Sequence, residues 1–176
     1  MLDALITSKT RIKILLKFFL NKSNKSYLRS LEQEFGESSN AIRIELNRFE
    51  EAGLLKSYFD GNKKYFQANT DHPLFDDIHS ILLKMVGIDT IVENIAQRLE
   101  HVEAAYVSGN FARGIDSKTI ELILVGDQID SKLMNNYIRK AEKIINRKVR
   151  YERITQSEKD HYLNHTPALL IWTSNK

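Results

Sequence analysis

The sequence predicts an α+β fold with two small domains, and three observations lead to that prediction. The first 70 residues carry three amphipathic helical patterns followed by a β-hairpin signal. Residues 88–176 alternate strand-like runs with helical patterns, as a small α/β domain with a central sheet does. Residues 71–87 form one helical pattern without a flexible Gly/Ser segment. We therefore expect domains at 1–70 and 88–176, with 71–87 as a connecting helix.

Composition is that of an ordinary globular protein, with 42% hydrophobic and 28% charged residues among 176. No apolar run approaches the roughly 20 residues that a membrane-spanning helix needs. The apolar N-terminus is interrupted by Lys and Arg at helical spacing, and no small-residue cleavage site follows, so it does not resemble a signal peptide. The absence of cysteine excludes disulfides and thiolate metal sites. We expect a cytoplasmic protein without a membrane partner.

The formal net charge is +3, and the excess positive charge lies in the first part of the chain. Residues 1–72 contain 12 Lys and Arg against 9 Asp and Glu, whereas residues 73–176 contain 14 of each. A basic first domain suggests a polyanionic partner.

The three helical patterns of the first domain lie at 7–21, 26–36 and 37–53. In the first pattern the lysines, Lys17 among them, are expected off the apolar stripe. The second ends at Gly36. The third starts at Ser38 or Ser39 and ends at Gly53, and its predicted buried face is Ile42, Leu46 and Phe49.

A hairpin follows the helices. Two aromatic-rich runs within 54–69 flank Asp60-Gly61-Asn62, and Asp-Gly is a strong signal for a tight turn. Three helices, the last two joined by a short turn, and a basic-tipped hairpin form the pattern of a winged helix-turn-helix.

In that motif the second of the paired helices enters the major groove of DNA. Ser39, Arg43 and Asn47 recur every four residues and share the face opposite the predicted buried one, with Asn40 beside them. Arginine suits guanine edges and asparagine suits adenine. At the hairpin tip, where cations can meet phosphates, the predicted contacts are Asn62, Lys63 and Lys64. We therefore predict double-stranded DNA as the partner.

The segment from about Thr7 to Asn69 resembles the winged-helix domain of ArsR-type bacterial transcription regulators, because SSNAIRIELNRFEEAGLL fits the pattern of that family's DNA-reading helix. The resemblance implies a transcription regulator, without the family's cysteine-based metal sensing. The polar helix face could instead contact a protein, and three acids on the same helix must point away from phosphate: Glu45, Glu50 and Glu51.

Two further helical patterns follow. The apolar stripe of the connecting helix is Ile78, Ile81, Leu82 and Met85. This stripe could pack on the first domain or form the interface of a homodimer. The second pattern, over 89–102, has the apolar residues Ile91, Val92, Ile95 and Leu99.

The predicted strands of the second domain are 102–108, 119–125, 149–155 and 168–173. A long amphipathic helix is predicted over 130–148, with a buried side formed by Leu133, Ile138, Ala141 and Ile145.

The first two of these strands are connected by GNFARG, residues 109–114. Strand, turn and strand resemble the minimal nucleotidyltransferase fold, whose motif is Gly-Ser-x-Ala-Arg-Gly followed by Asp-x-Asp on the next strand. Asn110 replaces the serine, and the matching positions are Gly109, Ala112, Arg113 and Gly114. The motif match covers Gly109 to Val125, and the order of elements extends it from about Asp89 to Trp172.

The acids that this resemblance implies are incomplete. Two carboxylates at i and i+2 of a strand share one face and can hold Mg²⁺, with a third acid from a later strand. Here the pair falls on Thr119 and Glu121. Glu152 is the one acid in the later strand, where Arg150 and Arg153 could pair with it.

We therefore predict a DNA-binding transcription regulator whose nucleotidyltransferase-like domain is catalytically degenerate and serves as a sensor or in assembly. A small-molecule or nucleotide effector would bind at Gly109, Asn110 and Arg113. The first alternative is an active nucleotidyltransferase using Glu121 and Glu152, which alone would need Mg²⁺ as a cofactor. The second is a protein–protein adaptor.

No metal site is predicted. His161 and His165 have the spacing of a zinc-binding helix, but Tyr162 stands where that motif has glutamate, and a third ligand is not evident.

Overall fold

The computed structural model describes residues 6–96 and 100–174, apart from the side chain of Ala96. The chain divides into two compact units, Met1–Met85 and Val86–Lys176. Both mix helices with a β-sheet, so the fold is α+β. In the described ranges, no helix combines the length and the apolar character that crossing a bilayer requires.

The first unit contains three helices, a three-stranded sheet and a fourth helix that ends just beyond the division. In chain order these are α1 (Lys9–Leu15), a π-helical turn (Leu16–Leu20), β1 (Lys25–Tyr27), α2 (Leu28–Phe35), α3 (Ser39–Glu51), β2 (Leu55–Asp60), β3 (Lys63–Ala68) and α4 (Phe75–Val86). The sheet order is β1-β3-β2, with both pairings antiparallel. The helices and the hairpin were predicted; β1 and the π-helical turn were not.

The residues at three helix ends agree with the sequence pattern, in which Thr7 or Ser8 is expected to cap the first helix, Ser38 or Ser39 the third, and Gly36 to end the second. The Ser8 hydroxyl accepts from the Arg11 amide at 3.2 Å, and the Ser38 hydroxyl accepts from the Ala41 amide at 3.3 Å. Gly36 ends α2 in the left-handed conformation, with φ of 63°. The buried face of α3 also agrees with the prediction, because Ile42, Leu46 and Phe49 are all buried.

The prediction that Lys17 lies off the apolar stripe is wrong. The π-helical turn widens the helix, so that all five of its residues are buried, and Lys17 is only 8% exposed. Its ammonium group lies 2.7 Å from the Glu34 carboxylate. A buried lysine is tolerated here because its charge is paired.

Helix α4 packs on the rest of the first unit. The Phe75 ring lies 5.7 Å from that of Phe19, and a ring nitrogen of His79 lies 2.7 Å from the Phe19 carbonyl oxygen. Packing on this unit was one of the two alternatives for the connecting helix. Leu74, just before α4, and Ile81 within it remain 52% exposed.

The second unit is built around a four-stranded mixed sheet. Its elements are α5 (Ile88–Ile91), a π-helical turn (Val92–Ala96), β4 (Ala104–Ser108), α6 (Gly109–Ala112), β5 (Thr119–Val125), α7 (Ser131–Ile145), β6 (Lys148–Ile154), α8 (Lys159–His165) and β7 (Ala168–Thr173). The order is β6-β5-β4-β7; β5 and β6 are parallel, and the other pairs are antiparallel. All four predicted strands are present: β5 and β7 have the predicted bounds, β4 begins two residues later than predicted, and β6 is shifted by one residue.

The buried stripe of α7 differs from the prediction, whereas the apolar residues of the 89–102 pattern agree with it where the structure describes them. Leu133 was predicted to be buried, but it is 49% exposed and Met134 is buried instead. Met134 continues the helical stripe of Ile138 and Ala141, so the buried stripe begins one residue later than predicted. In the 89–102 pattern Ile91 and Ile95 are buried as expected, whereas Leu99 lies outside the described residues.

Candidate functional site

Helices α2 and α3 and the hairpin line an open groove of about 510 Å³, which we call the helix–hairpin groove. Of the predicted DNA contacts, all but Asn40 line it. They are Ser39, Arg43, Asn47, Asn62, Lys63 and Lys64. Sequence positions up to 25 residues apart thus form one surface.

Local structure explains this arrangement. On α3 a spacing of four residues keeps Ser39, Arg43 and Asn47 exposed on one face. In the hairpin, Asp60 pairs directly with Lys63, so that Gly61 and Asn62 form a two-residue turn. Gly61 has φ of 56°, which such a turn requires and which glycine adopts most easily. The turn projects its polar residues at the end of the sheet.

Arg43 is partly positioned by Asn40. One guanidinium nitrogen of Arg43 donates to the Asn40 side-chain oxygen at 3.0 Å. Asn40 is exposed but does not line the groove. Its position therefore fits a support for Arg43 better than a base contact, and Arg43 keeps its remaining donors for a ligand.

Glu50 is engaged by neighbours at the hairpin. Its carboxylate lies 2.7 Å from the Lys64 ammonium and also accepts from the Ser57 hydroxyl. These hydrogen bonds, from Lys64 first and then Ser57, lower the pKa of the Glu50 carboxyl. Lys64 thus shares its charge with Glu50, and Lys63 is the freer cation of the hairpin.

Glu45 is turned away from the groove and buried. The Arg11 guanidinium donates to both of its oxygens, at 2.8 and 3.2 Å, and Ser8 and Arg48 also contact it. Burial alone raises the pKa of the Glu45 carboxyl, but the hydrogen bonds and charges, chiefly of Arg11, hold that pKa below its ordinary value. Of the three acids on α3, Glu51 remains exposed.

The groove also contains charged residues that were not predicted. Arg29 and Glu32 of α2 line it, which gives four cations against one acid. Lys63 lies 4.6 Å above the ring of Tyr27, another lining residue. Arg29 belongs to a different helix from the predicted face, so only the packing of α2 beside α3 reveals it.

A second groove, of about 480 Å³, lies where the strands of the second unit meet the 109–114 turn. We call it the turn groove. Its residues include Ser108, Gly109, Arg113, Glu121, Glu152 and Tyr162. Strand pairing explains the grouping, because Ser108 and Arg150 both pair with Glu121 and therefore lie on the same face of the sheet. Glu152 follows two residues after Arg150 on that face.

The Glu121 carboxylate lies directly against the Gly109 backbone. A methyl group added at Gly109 would stand 2.2 Å from a Glu121 carboxylate oxygen. Gly109 also has φ of 63°, a conformation that other residues rarely adopt. Asn110 is exposed and does not line the groove. Of the predicted anion-binding residues, the structure therefore places Gly109 and Arg113 in the groove, with a carboxylate beside the turn.

Glu152 contacts Tyr162 rather than Arg153. The Tyr162 hydroxyl donates to the Glu152 carboxylate, and this hydrogen bond, together with burial, raises the pKa of Tyr162. Arg153 instead donates to the Ile129 carbonyl and the Ser131 hydroxyl. Pairing of Glu152 with Arg153 is thus wrong, and the Arg150 side chain is exposed without a hydrogen bond or ion pair to another described residue.

The side chains present do not fit the Mg²⁺ site that the resemblance implies. Thr119 replaces one acid, and Glu152 is occupied by Tyr162. Within residues 6–96 and 100–174, no three His, Asp or Glu side chains are grouped to hold a metal ion. His161 and His165 are exposed, with ring centres 4.9 Å apart.

No protein-family model matches the sequence, and no curated protein matches it. Among solved structures, the chain is similar to a "putative nucleotidyltransferase" from Sulfolobus solfataricus, with 24% identity and a TM-score of 0.40 over 56% of this chain and 88% of that one. It is also similar to AF1382 from Archaeoglobus fulgidus, with 18% identity and a TM-score of 0.38 over 53% of this chain and 99% of that one.

Proposed function

We propose that this chain is a cytoplasmic, DNA-binding transcription regulator whose first unit is a winged helix-turn-helix. One observation carries the proposal: the predicted contacts on α3 and on the hairpin line a single groove that has four cations and one acid. A positive groove with arginine and asparagine side chains suits phosphate and base edges of duplex DNA.

The arrangement of acids supports this proposal. Glu45 is buried in an ion-pair cluster and Glu50 is bound to Lys64, so neither presents a free carboxylate to a phosphate. In the proposed complex α3 enters the major groove, and Asn62 and Lys63 contact the adjacent backbone. The exposed apolar residues Leu74 and Ile81 would serve a homodimer.

In the same proposal the second unit is a nucleotidyltransferase-like domain that has lost catalysis and binds an effector or mediates assembly. The exposed side chains of Arg113 and Arg150 give the turn groove two cations that pair with no other residue in the described ranges, which suits an anionic effector. Catalysis is not proposed, because the acids that would hold Mg²⁺ are incomplete.

The proposal is tested by mixing the full chain with sheared genomic DNA at low salt and sequencing the bound fragments. We expect recovery of duplex fragments that share a motif, with binding that weakens steeply as salt rises, because condensed counterions are released. Recovery of no DNA at low salt would overturn the proposal and favour the adaptor alternative.

A further inference from the structure

A second basic surface lies in the second unit and shares no lining residue with the turn groove. It is an open groove of about 630 Å³, between the C-terminal turn of α7 and the start of β6. Its charged residues are Lys118, Arg139, Glu142, Lys143, Arg147 and Lys148. We call this surface the basic groove.

The positive charge of the basic groove is not neutralised locally. The side chains of Lys118, Arg139 and Lys143 are exposed and make no hydrogen bond or ion pair with another described residue. The single acid, Glu142, accepts from the Val149 amide at 2.9 Å, and its other oxygen lies 3.7 Å from Lys148. The carboxylate is thus directed at the start of β6, and three cations remain free for a ligand.

Contacts of Arg147 and the turn at Asn146 form the base of the groove. Arg147 donates to Asp116 at 2.9 Å, contacts the Ser117 carbonyl and lies 5.3 Å from the Phe111 ring centre. Asn146 ends α7 in the left-handed conformation, with φ of 54°, so the chain turns back at once. Together these contacts place cations from a helix, a strand and a loop on one surface.

We propose that the basic groove binds the phosphate backbone of duplex DNA, as a second site beyond the one in the first unit. The free groups are lysine and arginine ends without aromatic rings for stacking, which suits contact with phosphates rather than sequence reading. Interaction with the helix dipole would account for a cation near the C-terminal end of α7. It does not account for Lys118, which lies outside that helix.

The test compares two triple variants of the full chain in binding a fluorescent duplex of random sequence. One replaces Lys118, Arg139 and Lys143 with alanine. The control replaces three exposed lysines that line neither the helix–hairpin groove, the turn groove nor the basic groove: Lys22, Lys84 and Lys132. Both lose the same charge. We expect the first to weaken binding roughly tenfold or more at low salt and to lower the slope of log K against log salt by about 2–3. Circular dichroism confirms that both variants are folded.

Both triple variants are also made in a chain that carries Arg43→Ala and Lys63→Ala, which separates this proposal from the first-unit site. In that chain, the basic-groove variant should still bind the duplex more weakly than the control variant, whatever role Arg43 has. Equal binding by the two triple variants in both backgrounds would overturn the second site.

Discussion

Replacing Arg43 with alanine is expected to weaken binding to the selected DNA motif by about 1–3 kcal/mol, because a bidentate arginine–guanine contact has that value. Arg43 lines the helix–hairpin groove and is held by Asn40 at 3.0 Å. Fluorescence anisotropy with the selected duplex and with a scrambled duplex measures the loss. Affinity for the scrambled duplex should fall much less, since it depends mainly on phosphates.

Arg48→Ala is the matched control. Arg48 lies on the same helix, is 59% exposed and contacts Glu45 rather than the groove. Its loss should leave affinity for the selected duplex nearly unchanged. Arg43→Lys should preserve salt-dependent binding but reduce discrimination, because lysine lacks the planar fork of arginine. Equal affinities of the Arg43→Ala and Arg48→Ala chains would contradict the assignment of α3 as the DNA-reading helix.

Gly109→Ala is expected to lower the free energy of unfolding of the second unit by about 1–3 kcal/mol, from two separate causes. The first is the left-handed backbone, with φ of 63°. The second is the Glu121 carboxylate, which must move because the new methyl group would lie 2.2 Å from its oxygen. Denaturant-dependent hydrogen exchange, which follows the amides of each unit separately, measures the change.

Gly36→Ala separates the two causes. Gly36 has the same φ of 63°, but a methyl group there would meet nothing within 4 Å. Its replacement should cost about 1 kcal/mol, from the backbone alone. In a Glu121→Ala chain the cost of Gly109→Ala should fall toward that of Gly36→Ala. If the cost is unchanged in that chain, Glu121 does not press on the turn.

Most elements of the fold could be predicted because their signals are local. Ile42, Leu46 and Phe49 have helical spacing, and Asp60-Gly61 specifies a turn within two residues. Lys17 was misplaced because its burial depends on a π-helical turn and on Glu34, which lies 17 residues away. Strand β1 was missed because it has only three residues and forms by pairing with β3.

The candidate functional surfaces also divide into those with a local sequence signal and those that depend on tertiary packing. The polar face of α3 was predictable because its members share one helix, whereas Arg29 joins the groove only through tertiary packing. The basic groove was not predicted because the net charge was summed over residues 73–176, which are neutral as a whole. Within that range, residues 136–150 contain six cations and one acid. The contact between Tyr162 and Glu152 depends on how α8 packs on the sheet, which the spacing of residues does not specify.

Site-specific photocrosslinking tests most directly whether the helix–hairpin groove holds DNA. A photoreactive residue is placed at Asn47, inside the groove, or at Ser23, which is exposed and lies outside it. Each full chain is irradiated with the selected duplex, and the covalent adduct is measured by gel shift. The proposed function predicts a strong adduct from position 47 and little from position 23. Binding of the duplex without an adduct at position 47, or with equal adducts at both positions, would contradict it.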